Sequence, residues 1–66
     1  MWLRLKGTQD EIMVNMNLIH LFAPDYKDST RTRLFAQDPK DEGIVVMESF
    51  EEIVNKMERI ERSQQG

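Results

Sequence analysis

Apolar and polar positions alternate strictly where the chain begins. Leu3, Arg4, Leu5 and Lys6 read as a half-buried strand with both leucines turned inward, because successive side chains on a strand point to opposite faces. Gly7 to Asp10 has the composition of a turn, and Glu11 to Asn15 alternates again with Ile12 and Val14 on one face. Asn15-Met16-Asn17 reads as a tight corner, since asparagine accepts turn and left-handed backbone. Leu18 to Ala23 is a nearly continuous apolar run stopped by Pro24. Such a run predicts a strand covered on both faces rather than a helix that would end within two turns. Asp25 to Ser29 reads as a polar loop. Thr30 to Ala36 predicts a fourth strand, with Arg31, Arg33 and Phe35 on one face and Thr32 and Leu34 on the other. Gln37 to Gly43 is the clearest loop, and Ile44 to Met47 predicts a fifth strand.

The period then changes from two to about 3.6. Ser49 followed three residues later by Glu52 is a capping box, which satisfies two orphan amides at a helix start. Phe50, Ile53, Val54, Met57 and Ile60 recur on one stripe. Glu52–Lys56 and Glu58–Arg62 are i,i+4 pairs in the favourable order. The helix is expected from about Phe50 to Arg62, with Ser63 to Gly66 as a frayed tail. Together these elements predict a single domain, mainly β with one C-terminal α-helix. Its expected form is a small five-stranded antiparallel sheet or an SH3/Sm-like partly closed barrel, flanked or plugged by the helix.

Length changes this picture more than charge does. A chain of 66 residues buries only about 60% of the surface it exposes when unfolded, and domains of this size commonly depend on disulfides, a metal or oligomerisation. There are no cysteines and one histidine, His20, so disulfides, thiolate metal sites and a histidine-based zinc site are excluded. Oligomerisation remains as the expected source of extra burial. The formal net charge of −3 argues against strong nonspecific nucleic-acid binding, which depends on neutralising phosphates. No apolar run approaches the roughly 20 residues of a membrane span. The start lacks the apolar core of a signal peptide, so a cytoplasmic location is the default expectation.

Glu11-Ile12-Met13-Val14-Asn15, two residues and then Leu18-Ile19, followed later by Val45-Val46-Met47-Glu48-Ser49-Phe50-Glu51-Glu52-Ile53-Val54, resembles the FlbD family of small bacterial flagellum-associated proteins. In that family a short basic-apolar strand opens the chain, an Asn-x-x-Leu-Ile step follows, and a Val-x-Glu-Ser segment leads into the terminal helix. The resemblance implies a motility-related accessory protein with no known chemistry. Two further families are similar in layout. Asp38-Pro39-Lys40-Asp41 and Glu51-Glu52-Ile53 look like pieces of the CsrA family of RNA-binding regulators, although Phe50 stands where that family has an arginine. Met16-Asn17-Leu18 is similar to a step of the Sm-like family, which implies an RNA contact for Asn17.

The residues offer little catalytic chemistry. His20 is the one candidate general base near neutral pH, and no serine or cysteine nucleophile stands at a motif spacing from it. Asp25 with Asp28, or Asp38 with Asp41 and Glu42, offers oxygen ligands, but neither stretch fits a twelve-residue calcium loop. They read as solvated loop acids. No phosphate loop or nucleophile motif is present. The chain is therefore expected to have no catalytic residue, cofactor or metal, and to act as an interaction or assembly module, as a homo-oligomer and with a protein partner. Trp2, Phe35 and Met47 are the expected interface residues, as aromatic residues and methionine are enriched at interfaces. The alternative is a small RNA-binding regulator. In that reading Arg4, Lys6, Arg31 and Arg33 form a basic stripe beside Phe35, provided their two strands are neighbours.

Overall fold

The opening alternation becomes a hairpin. In the computed structural model, which describes residues 1–38, 40 and 42–65, strand β1 (Trp2–Lys6) pairs antiparallel with β2 (Glu11–Asn15), Leu3 opposite Val14 and Leu5 opposite Ile12. Leu3, Leu5 and Val14 are buried while Trp2, Arg4 and Lys6 are exposed, as the two-residue period requires. The Gly7 amide donates to the Asp10 carbonyl at 2.8 Å and closes the turn. A Cβ on Gly7 would stand 2.7 Å from that carbonyl oxygen, so the close approach needs glycine. The expected corner is a 3-10 turn, Met16–Leu18, in which the Asn15 side chain accepts from the Asn17 amide at 3.1 Å.

Beyond the corner lies a second antiparallel sheet, order β3-β4-β5, made of β3 (Ile19–Pro24), β4 (Thr32–Ala36) and β5 (Ile44–Val46). Helix α1 (Phe50–Gln65) follows. Ser49 and Glu52 exchange backbone-to-side-chain hydrogen bonds at 3.2 and 3.4 Å, as the capping box demands. Ile53, Met57 and Ile60 face inward, and the Phe50 ring meets Phe22 at 5.2 Å between centroids. One core serves both sheets and the helix: Leu3, Leu5, Val14, Met16, Leu34, Val46 and Ile53.

The architecture is mainly β with one C-terminal helix, as the pattern predicts, but the strands form neither a single five-stranded sheet nor a barrel. They form a two-stranded and a three-stranded sheet. The 3-10 turn breaks any pairing of β2 with β3, and β5 is only three residues long. After it the chain bends at Met47, whose amide donates to the Lys6 carbonyl at 2.7 Å. Among the described residues, that is the one backbone hydrogen bond that ties β1 to the segment after β5.

Four local readings change with this geometry. The run Leu18 to Ala23 is not covered on both faces: Leu18 belongs to the 3-10 turn and is 66% exposed, and Leu21 is 53% exposed. The helix lies against the opposite side, so the outer phase of β3 stays open. The fourth strand starts at Thr32 rather than Thr30, because the Thr30 amide and hydroxyl both donate to Asp28 Oδ1 in a local turn. Met47 falls outside β5, and the helix continues through Ser63 to Gln65 where a frayed tail was expected.

Gly43 has φ of +90°, and a Cβ there would stand 2.8 Å from Arg33 Cγ and 3.0 Å from the Phe35 ring. Gly43→Ala is therefore expected to lower stability by about 1–3 kcal/mol, the usual cost of a side chain in sparsely populated backbone. Thermal unfolding followed by circular dichroism checks this, and an unchanged melting temperature would refute it.

Candidate functional site

Three features of the surface and its supports stand out. The first is the junction at Glu48, only 4% exposed. Its Oε2 accepts the Lys6 amide at 2.9 Å, its Oε1 meets Lys56 Nζ, and its carbonyl accepts the Thr32 hydroxyl at 2.7 Å. One residue thus joins β1, β4 and α1. The fully buried Thr32 side chain makes no other hydrogen bond among the described residues. Lys56 reaches on to donate to the Arg4 carbonyl at 2.8 Å.

The second is a groove of about 400 Å³ between β1 and α1. Trp2, Arg4 and Lys6 line it from the strand, and Lys56, Arg59 and Ile60 from the helix. Its one acid is Glu11, the cross-strand partner of Lys6. With Lys56 paired to Glu48, the cations Arg4, Lys6 and Arg59 still outnumber the lining carboxylate, which leaves a positive surface on a chain whose formal net charge is −3.

The third is the outer face of the three-stranded sheet. Helix α1 packs on the side carrying Phe22, Leu34 and Val46, so Leu21, Ala23, Arg33, Phe35 and Val45 share the other side. Leu21 lies directly opposite Phe35. Arg33 crosses this face with its charge engaged: one amine stands 3.6 Å from the buried Asp25 carboxylate, and another donates to the Glu42 carbonyl at 2.9 Å.

The predicted site residues are thus spread over different places. Trp2 lies on β1 at 60% exposure, Phe35 is half-buried on the second sheet, and Met47 is exposed at the join between the sheets. Arg4 and Lys6 share one strand face. Arg31 lies just before β4 and Arg33 on it, and β4 pairs with β3 and β5 and not with β1. The four cations therefore do not meet as one stripe, and Arg31 is paired with Asp28 at 3.4 Å.

Asp25, read as a solvated loop acid, is buried, its amide donating to the Arg31 carbonyl. Asp28 is the more open of the two. The Thr30 hydroxyl, then the Thr30 amide and the Arg31 guanidinium, hold its carboxyl below the usual range. A depressed carboxylate adds stability above its ordinary pKa and loses it as pH falls through the lowered value. His20 is exposed at the register irregularity in β3. Asp38 and Glu42 are exposed, and Asp41 lies outside the described residues. No group of three or more histidine, cysteine or acidic residues is placed to hold a metal ion among the described residues. Among them, too, no helix is long and apolar enough to cross a membrane.

No family model, no curated protein and no solved structure matches the chain. Sequence reasoning missed Glu48, Lys56, Arg59 and Ile60 as a group. The available signal was a glutamate next to the helix cap with a lysine eight residues on, but spacing does not reveal that β1 runs beside that helix.

Proposed function

We propose that the chain is a non-enzymatic interaction module that assembles with copies of itself through the outer face of its three-stranded sheet. One observation carries this reading: Leu21 and Phe35 stand opposite each other on a sheet face that the helix leaves uncovered. Across a two-fold axis such a face meets its own copy, so one patch used twice closes the assembly. The engaged charge of Arg33 removes the repulsion that a bare arginine would bring to it. Small size adds a motive, since a seven-residue buried cluster is a modest core and an interface adds apolar burial. The resemblance of the Asn15 corner and the Val46-to-Ser49 lead-in to the FlbD family favours placing such a module at a flagellum. A single-strand RNA platform has less support, because Arg31 and Arg33 each face an aspartate and stand apart from Arg4 and Lys6.

Leu21→Glu tests the interface without disturbing the core, since Leu21 is already half in solvent. The variant is expected to unfold cooperatively and to sediment as the 7.8 kDa chain, while the wild type sediments as a larger species. A wild-type mass that the substitution leaves unchanged would remove this face from the assembly.

A further inference from the structure

Which backbone groups of β1 are engaged follows from its register. The bonds Met16 amide to Met1 carbonyl and Gly7 amide to Asp10 carbonyl mark the odd positions of β1 as those hydrogen-bonded toward β2. In an antiparallel pair the alternate residues turn their amide and carbonyl away from the partner. Trp2, Arg4 and Lys6 therefore present both groups to the outer edge, which opens into the groove beside α1. Lys6 is satisfied there by the Met47 amide and the Glu48 carboxylate, and the Arg4 carbonyl by Lys56. The Arg4 amide and both backbone groups of Trp2 take no protein hydrogen bond among the described residues. The carbonyl of Arg4 keeps a second lone pair.

We infer that this edge is a docking site for an extended acidic segment of a partner protein, added as a further strand along Trp2–Arg4. The inference rests on the reading of the chain as an interaction module and names a partner class for it. Strand addition draws affinity from main-chain hydrogen bonds and specificity from alternate side chains. Peptide residues opposite Trp2 and Arg4 share their side of the strand, where carboxylates meet Arg4 and Lys6. The peptide residue between them turns toward the helix, where Ile60 offers apolar surface flanked by Lys56 and Arg59. An acidic–apolar–acidic alternation fits this arrangement. A second copy fits it badly, because pairing β1 with β1 would bring the same cations together, and like charges facing across strands are destabilising.

Trp2 is the chain's sole tryptophan and lies in the groove, so its fluorescence reports occupancy directly. The full chain is titrated with a capped octapeptide of alternating glutamate and valine, with a lysine–valine analogue, and with oligouridylate. The glutamate peptide is expected to give a saturable shift in Trp2 emission below roughly millimolar concentration. Affinity should fall at least tenfold for Arg59→Glu, whose exposed side chain makes no hydrogen bond or ion pair among the described residues. It should fall similarly for a peptide N-methylated at the residue facing Trp2. Equal binding of the lysine peptide, indifference to N-methylation, or no saturable shift would overturn the inference. Binding of oligouridylate alone would overturn it too and assign the groove to nucleic acid. The same titration on Leu21→Glu separates the two surfaces: peptide binding by that variant stands whether or not the wild type self-associates.

Discussion

Ile53→Ala is expected to lower the unfolding free energy by about 2–5 kcal/mol, the range for truncating a large buried aliphatic side chain. Ile53 is fully buried and stands where both sheets meet the helix, clustered with Leu3, Leu5, Leu34 and Val46. A domain of this length has a total stability of roughly 3–10 kcal/mol, at about 0.05–0.15 kcal/mol per residue. One truncation thus removes a large share of it. At about 4–8 °C per kcal/mol for small domains, the melting temperature should fall by at least about 8 °C. Ile53→Val removes a single methyl group and should cost only about 0.5–1.5 kcal/mol. Thermal and urea unfolding of the pair check this, and an unchanged midpoint for Ile53→Ala would show that α1 is not packed on the sheets.

Glu48→Ala is expected to cost about 1–3 kcal/mol, the penalty for stranding a hydrogen-bonding partner in a part-buried site. Most of that comes from the Lys6 amide, which loses its acceptor. The ion pair to Lys56 adds less, because the lysine side chain is more than a third exposed and solvent screens it. Glu48→Gln keeps an acceptor for Lys6 and removes the charge, so it should recover much of the loss. The distinguishing readout is amide exchange at Lys6, which should speed up in the alanine variant and much less in the glutamine variant. Equal stability of all three proteins would mean that Glu48 does not hold β1 against the helix.

These two residues also mark how far the sequence could be read. Ile53 was legible: the 3.6-residue stripe and the Ser49–Glu52 box are local signals, and local geometry obeyed them. The same holds for the inward phase of Leu3, Leu5, Ile12 and Val14 and for the corner at Asn15. Glu48 was not legible as a junction. Its partners Lys6 and Thr32 lie 42 and 16 residues away, and a two-residue period states which face a side chain takes without stating which strand lies beside it. That gap explains the missed split into two sheets. It also explains the basic stripe, whose condition was adjacency of β1 and β4. Leu21 was misread for a related reason, as an apolar run does not reveal that the helix covers only one side of the sheet. The groove combines both difficulties, since it exists only because β1 and α1, far apart in sequence, run side by side.

Self-assembly is the central claim, and mass in solution tests it most directly. Light scattering on the wild-type chain over a wide concentration range should give a mass at least twice 7.8 kDa. The melting temperature should rise with concentration, as binding between native chains requires. A sharply folded species of 7.8 kDa, with mass and melting temperature independent of concentration, would contradict the account.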